Sequence, residues 1–429
     1  MIREKFDIDN KLILSFLKNN KFDAVINEDL LNWYAFLDDK DYEKGRERAI
    51  SFIKKIASES LLEINFPEKE KEGLLEVFNP LESILRTAHS LNTSTKNFKV
   101  RDHLSHTIRN LLLANYLIKF YHNNSLAHLK RKLNTAIIFH DIGYPIEKLK
   151  KIGNNLKDAT FSDLLNSSGK VDFILSNPDD LLDMLNHWGN LTHETNITSS
   201  EIDNRRVQNK IKHLYNEVLV PAIAGQGLFD SSHNLSSVVL FLRPIVKHWI
   251  KSQKYIQMKI ENICDICFAI AYHDRKLPIS NFKKYDTDIP ILVKILRIAD
   301  ELQEWDRVKN EQSFIKDVEI DFLKNHISLT YFMKDSKYLK CNPNKFISDK
   351  IIGLTPVVNN DDEIVIKMIF PDEIEIKEKS YLDKNDKETT NIFFIDNSIS
   401  SLIKSFTIDK KSKDIVMVFK DNNVKIEVA

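Results

Sequence analysis

His140 and Asp141 close an apolar run, Ala136-Ile-Ile-Phe139, and are followed by Ile142, Gly143, Tyr144 and Pro145. Imidazole beside carboxylate suits Fe, Mn, Zn or Mg better than it suits a thiolate-preferring metal. Neighbouring side chains on a helix point about 100° apart, so one ion can use both only at a helix end or an irregular turn. Gly143 and Pro145 supply that irregularity. Other ligand-type residues stand at comparable places: His106 ahead of an apolar helix, His273 after Ala269-Ile-Ala-Tyr272, and Asp300 in Arg297-Ile-Ala-Asp300-Glu. A carboxylate such as Asp141 can bridge two ions. Two ions about 3.5–4 Å apart orient and deprotonate water for in-line attack on phosphorus. Taken singly, these residues have plainer readings. A His-Asp pair at a helix C-terminus is also a favourable cap for the helix dipole, and Asp300 on its own is an ordinary helix acid. Ile295, Leu296, Ile298 and Ala299 argue for a buried turn there, and a buried carboxylate needs a partner.

The elements that must carry these residues are mostly helical. Residues 1–80 read as amphipathic helices with no ligand cluster, for example Leu12-Ile-Leu-Ser-Phe-Leu17 and Ala49-Ile-Ser-Phe-Ile53, and form a packing or oligomerisation layer. A core over 81–314 follows. Arg101 to Leu113 opens a long helix that continues through Ile118. Lys130 to Phe139, Ser236 to Trp249 and Ile260 to Tyr272 are further apolar helices, and Pro290 starts the last one in its first turn. Residues 149–230, rich in Asn, Asp and Ser, read as an insertion of short helices. From 315 to 429 the pattern turns to β-branched alternation, as in His326-Ile-Ser-Leu-Thr-Tyr-Phe332 and Ile364-Val-Ile-Lys-Met-Ile-Phe370, with one helix over Ser398 to Phe406. The expected fold is mainly α with a C-terminal, mostly β (α+β) domain.

Taken together, His106 in His-Thr-Ile-Arg-Asn, His140-Asp141 in His-Asp-Ile-Gly and Asp300 in Arg-Ile-Ala-Asp resemble the HD-domain superfamily of metal-dependent phosphohydrolases. The resemblance covers roughly residues 98–308. It implies an HD-type helical core in which His106, His140, Asp141 and Asp300 hold a divalent transition metal (Fe, Mn, Zn, Co or Ni, with Mg as another option). Members with two ions carry extra histidines between the His-Asp pair and the last Asp, and His233 and His273 are similar to those. His103 competes with His106 for the first ligand position; His106 is favoured because the apolar helix follows it directly. The implied activity is hydrolysis of a phosphate ester or anhydride, of a nucleotide for preference, by a metal-activated water. A nuclease or cyclic-nucleotide phosphodiesterase would use the same metal core, and a non-catalytic metal- or nucleotide-binding sensor is the rival outside enzymes. The deoxynucleotide triphosphohydrolases of the superfamily carry a further His shortly after the Gly of the His-Asp stretch. Here Tyr144 and Pro145 follow Gly143, which points to another phosphoester.

Phosphoryl transfer needs positive charge besides the metal. Arg109, Lys148 and Arg275 are the candidate catalytic cations beside Asp141, and Arg297 joins Tyr144 as a candidate for substrate binding. Each of the four cations also reads as a solvated or structural residue. Cys264-Asp-Ile-Cys267 has no second pair to complete a zinc site and reads as two packed thiols on one helix face. Three cysteines are too few for a disulfide framework, which favours a reducing cytoplasm. Lysine and arginine, 62 together, balance 62 aspartates and glutamates, so no global field recruits nucleic acid or an anionic membrane, although a local basic groove for nucleic acid is compatible with that balance. No apolar run reaches the roughly 18 residues of a membrane span. The expected partners are a phosphorylated small molecule and a second copy of the chain through the N-terminal helices.

Overall fold

The computed structural model describes residues 42–67, 71, 75, 103–121, 127–144, 183, 186–190, 205–222, 233–252, 259–273, 288–303, 315–323, 326–333, 350, 354, 363–378, 408–420 and 423–428. The chain divides into two compact units. One, the helical unit, comprises Arg46–Asn115 and Asn124–Leu296; the other comprises Met1–Gly45, Tyr116–Asn123 and Arg297–Ala429. The apolar stretches expected to be helical at Ala49–Ile53, from Arg101, before His140, at Ser236–Trp249, at Ile260–Tyr272 and from Asp288 are helices. The Leu12–Leu17 stretch, the Ser398–Phe406 helix and most of the 149–230 insertion fall outside the described residues.

Helix α1, Tyr42–Ser60, buries Phe52, Ile53, Ile56 and Ala57 along one stripe, the spacing of an amphipathic helix. A 3-10 turn, Leu61–Ile64, follows it and ends on Asn65 in the left-handed region at φ 52°, a conformation asparagine tolerates. Next come α2 (His103–Tyr121), α3 (Ala127–Phe139) and α4 (Arg205–Leu214), the last running into a π-helical turn, Tyr215–Leu219. Helices α5 (His233–Ser252), α6 (Ile260–Tyr272) and α7 (Asp288–Leu302) complete the described helices. Helix α6 is buried at every position from Ile263 to Tyr272, and α3 from Leu133 to Phe139. Helices apolar all round belong in the centre of a core.

Polar side chains inside that core tie particular helices together. Asn115 on α2 donates to Asn134 Oδ1 on α3 at 2.8 Å. Lys132 on α3 donates to Asp265 Oδ2 on α6 at 2.7 Å, and Lys210 on α4 donates to the other oxygen, Oδ1, at 2.7 Å. Lys210 reaches Glu261 at 3.1 Å and Lys132 reaches Asp288 at 3.3 Å, so acid and base alternate along one buried chain of charges. Burial alone would lower the pKa of Lys132. Asp265 and Asp288 outweigh it and raise that pKa, so the ammonium stays charged. Cys264 and Cys267, beside Asp265, are buried free thiols, and burial raises both pKa values.

The second unit holds a five-stranded sheet in the order β1 (Ile315–Leu323), β2 (His326–Met333), β3 (Glu363–Glu378), β4 (Ile408–Lys420), β5 (Asn423–Val428). Every neighbouring pair is antiparallel except β2 and β3, which run parallel with Ile327 opposite Ile364 and Leu329 opposite Ile366. Strict alternation puts Ile327, Leu329, Tyr331 and Met333 on the buried face with Ile364, Ile366, Met368 and Phe370. In the same unit the Tyr331 hydroxyl donates to the Leu302 carbonyl at 2.9 Å, and the buried Lys350 ammonium donates to the Glu301 carbonyl. These two side chains satisfy carbonyls that the last turn of α7 leaves without an intrahelical partner. Among the described residues, no helix is long and apolar enough to cross a membrane.

Candidate metal centre

Four segments of the helical unit meet at Asp141. His106 stands in the first turn of α2, His140 and Asp141 just past the end of α3, His233 at the start of α5, and His273 just past the end of α6. Each oxygen of the carboxylate faces two imidazoles. Oδ2 lies 3.0 Å from His106 Nε2 and 3.5 Å from His140 Nε2, while Oδ1 lies 3.4 Å from His233 Nε2 and 3.7 Å from His273 Nε2. The rings also touch one another. His140 and His273 meet edge to face with centroids 4.9 Å apart, and His106 Nε2 is 3.2 Å from His140 Nε2. Side-chain exposure is 1 % for His106 and His140, 5 % for Asp141 and 3 % for His273, against 22 % for His233. Solvent therefore reaches the cluster on the His233 side.

The protonation pattern fits a cation. His140 Nδ1 lies 2.6 Å from the Ile137 carbonyl and His273 Nδ1 lies 2.6 Å from the Ile270 carbonyl. A carbonyl can only accept, so both Nδ1 atoms carry a hydrogen and Nε2 is the nitrogen left to face the carboxylate. Each of these Nε2 atoms meets Asp141 in one of two ways, as the N–H donor of a protonated ring or as a lone pair directed at a cation held between ring and carboxylate. His106 Nε2 lies 3.2 Å from the amide nitrogen of Asn110 and takes the acceptor role. A histidine that ligates through one ring nitrogen and donates the other to a backbone carbonyl is the usual form of a metal ligand. Burial disfavours charge on Asp141, but His140, His106 and His273 outweigh it and hold the carboxyl well below the usual carboxylate range. His140, Asp141 and His273 can offer three ligand atoms to one ion.

Backbone contacts explain how the segments are brought together. After Phe139 the chain leaves the helix by a turn in which Tyr144 N–H returns to the Asp141 carbonyl at 2.9 Å. Gly143 in this turn packs against the first turn of α5, and a Cβ there would lie 2.2 Å from the His233 carbonyl and 2.7 Å from Ser237 N. The glycine is required for close approach, and no positive φ accompanies it. Asn234, fully buried, donates to the Ala271 carbonyl and ties α5 to the end of α6. Tyr144 is half-buried with its ring edge-on to His233 at 6.1 Å.

The other expected site residues fall as follows. Arg109 is buried on α2, three residues beyond His106. Arg297 is buried and Asp300 half-buried, both on α7 in the stretch that belongs to the second unit. Lys148 and Arg275 lie outside the described residues, as does the side chain of His103. Asn110, Asn234 and Ser237 were not anticipated. Asn110 follows His106 by four residues, which places both on one helix face and was a usable signal. The other two answer only to three-dimensional neighbours. No family model, curated protein or solved structure matches this chain.

Proposed function

We propose that this chain is a metal-dependent phosphohydrolase of the HD type, cleaving a phosphate ester or anhydride of a nucleotide. The observation that carries the reading is the Asp141 carboxylate with two imidazoles on each oxygen, the donor set of a carboxylate shared between two cations. The order His106, His140-Asp141, His233, His273 supports it, and the resemblance adds Asp300 as a further ligand. The nitrogen and oxygen donors suit Fe, Mn, Zn, Co or Ni. A divalent ion held there would polarise a phosphoryl oxygen and bring the pKa of water toward neutrality.

The chain's own residues supply the rest. Asp141 stays anionic and orients the site. Ile137 and Ile270 carbonyls fix the ring tautomers of His140 and His273, keeping Nε2 available. His233, the most exposed ring, and Tyr144 beside it flank the side from which a substrate enters. Tyr144 would stack on a base or donate to a phosphate oxygen. Arg109, buried on the same helix as His106, is the candidate for balancing phosphate charge. Action in a reducing cytoplasm and self-association through the N-terminal helices belong to the same reading.

The test is elemental analysis of protein purified without chelator, followed by product analysis on mono-, tri- and cyclic nucleotides and short oligonucleotides. Bound transition metal with release of phosphate from one class is the expected result. Metal without turnover on any class would favour the sensor reading. A protein free of Fe, Mn, Zn, Co and Ni, and inactive when these are added, would overturn both.

A further inference from the structure

Helices α3 and α6 lie side by side and are matched along their length. Lys132 Nζ meets Asp265 Oδ2 at 2.7 Å, and eight residues further on in each helix the rings of His140 and His273 meet with centroids 4.9 Å apart. The two contacts fall in the same order on both helices, so the helices are parallel. Eight residues correspond to about 12 Å of helix axis. Between the two contacts the buried side chains include Leu133, Ala136 and Ile137 on α3 and Ile266, Ala269 and Ile270 on α6, while the buried polar Asn134 and Thr135 bond to Asn115 of α2 and to the Arg131 carbonyl. The burial of apolar area is non-directional, so it selects one register over another, a slide of one residue or about 1.5 Å away, less sharply than a directional contact does. A charged hydrogen bond at 2.7 Å does not survive that slide. Asp265 is itself held from the other side by Lys210, and Lys132 by Asp288, so neither end of the pair is free to follow a moving helix.

We propose that the buried Lys132–Asp265 pair sets the register of α3 against α6 and so holds His140 and His273 at the spacing that a shared cation requires. Lys132 and Asp265 are positioning residues. They lie about two helical turns from the ligands and act through the helices that carry them. The proposal deepens the metal-centre reading, and one arm of its test is independent of any metal.

The experiment compares the full-length wild type with Lys132→Met/Asp265→Leu, a pair of apolar side chains that removes both charges of the pair together and leaves Lys210 with Glu261 and Asp288 with His128 as remaining partners. In metal-free protein labelled at histidine, a nuclear Overhauser contact between the His140 and His273 rings is expected in the wild type and is expected to vanish in the double variant. In the second arm, Mn²⁺ titration should show affinity at least tenfold weaker in the double variant, with helix content unchanged by circular dichroism. Lys132→Arg, which keeps the ion pair, should retain both the ring contact and the affinity. Should the apolar pair fail to fold, Lys132→Met alone removes the hydrogen bond between the helices, leaves Asp265 its Lys210 partner, and gives the same two readings. A double variant that keeps the ring contact overturns the proposal, as does one that binds Mn²⁺ like the wild type. A wild type that keeps the ring contact yet binds no metal would sink the metal-centre reading while the first arm still decides the register.

Discussion

The backbone N–H of Gly143 donates to Ser237 Oγ at 2.8 Å, and the same hydroxyl donates onward to the His233 carbonyl at 2.8 Å. One serine therefore joins the turn that carries Asp141 to the helix start that carries His233. A methyl group on Gly143 has no room, because the atoms it meets are the His233 carbonyl oxygen, the Ser237 nitrogen and Ser236 Cβ, none of which can rotate away. Gly143→Ala is expected to push the first turn of α5 outward and to destabilise the protein by about 1–3 kcal/mol, the usual range for overpacking. Metal titration should show the affinity that depends on His233 falling further than that of the His106–His140 side. Two affinities unchanged from the wild type would mean that His233 is not a ligand.

Asp141→Ala is expected to abolish phosphohydrolysis and metal retention while circular dichroism shows nearly unchanged helix content. The carboxylate stands beyond the end of α3 and faces imidazole rings. Wild-type turnover in this variant would remove the site assignment altogether.

Lys210 is fully buried and touches Asp265 and Glu261. Lys210→Met should lower stability by about 3–5 kcal/mol, because it strips Asp265 of one of two cations and leaves buried negative charge behind. Urea denaturation measures the loss. A shift below about 1 kcal/mol would show that Lys132 alone suffices.

The raised pKa of Lys132 fixes the sign of an alkaline effect. A base whose folded pKa lies above its unfolded value, near 10.5, contributes stability that is fully present below that value and is lost as pH climbs through the folded one. The urea-midpoint difference between wild type and Lys132→Gln should therefore stay level from about pH 7 to 9.5 and shrink above about 10.5. A gap that narrows on the acid side instead would assign the pair the wrong charge state.

Tyr144 distinguishes substrate classes. A phenol, whose reference pKa is about 10, cannot relay a proton near neutrality as an imidazole can. The enzyme proposed here should be a poor deoxynucleoside triphosphate triphosphohydrolase, and chromatography should show little intact tripolyphosphate. Tyr144→Phe keeps stacking and loses only the hydrogen bond, whereas Tyr144→Ala loses both. A larger fall in kcat/KM for Ala than for Phe is the expected order.

Much of this architecture was legible before any coordinates. The apolar run Ile260–Tyr272 marked α6 at its observed ends, with His273 following at once. His106, His140, Asp141 and His273 were visible because each stands at the edge of an apolar stretch. The strand pattern of 326–332 and 364–370 was equally plain, but the parallel pairing of β2 with β3 was not, since alternation says nothing about direction. The charge chain through Asp265 escaped notice for a similar reason. Lys132, Lys210 and Asp265 look like surface residues in sequence, and only their mutual contact across three helices makes burial tolerable. Gly143 was read as a helix breaker, yet its constraint is the proximity of a segment far along the chain.

The split loyalties of the Asp141 oxygens carry a consequence for synthesis. The residues facing Oδ2, His106 and His140, leave the ribosome with Asp141 or before it, whereas those facing Oδ1, His233 and His273, come later. At 5–20 residues per second the last of them arrives on the order of ten seconds after Asp141. Until then the nascent chain has half a cradle, with an acidic side chain that cannot be buried and an apolar α3 that lacks its neighbour α6. Ribosome-stalled chains ending before α5 should be cut readily near Asp141 by a protease, and chains that include His273 should resist.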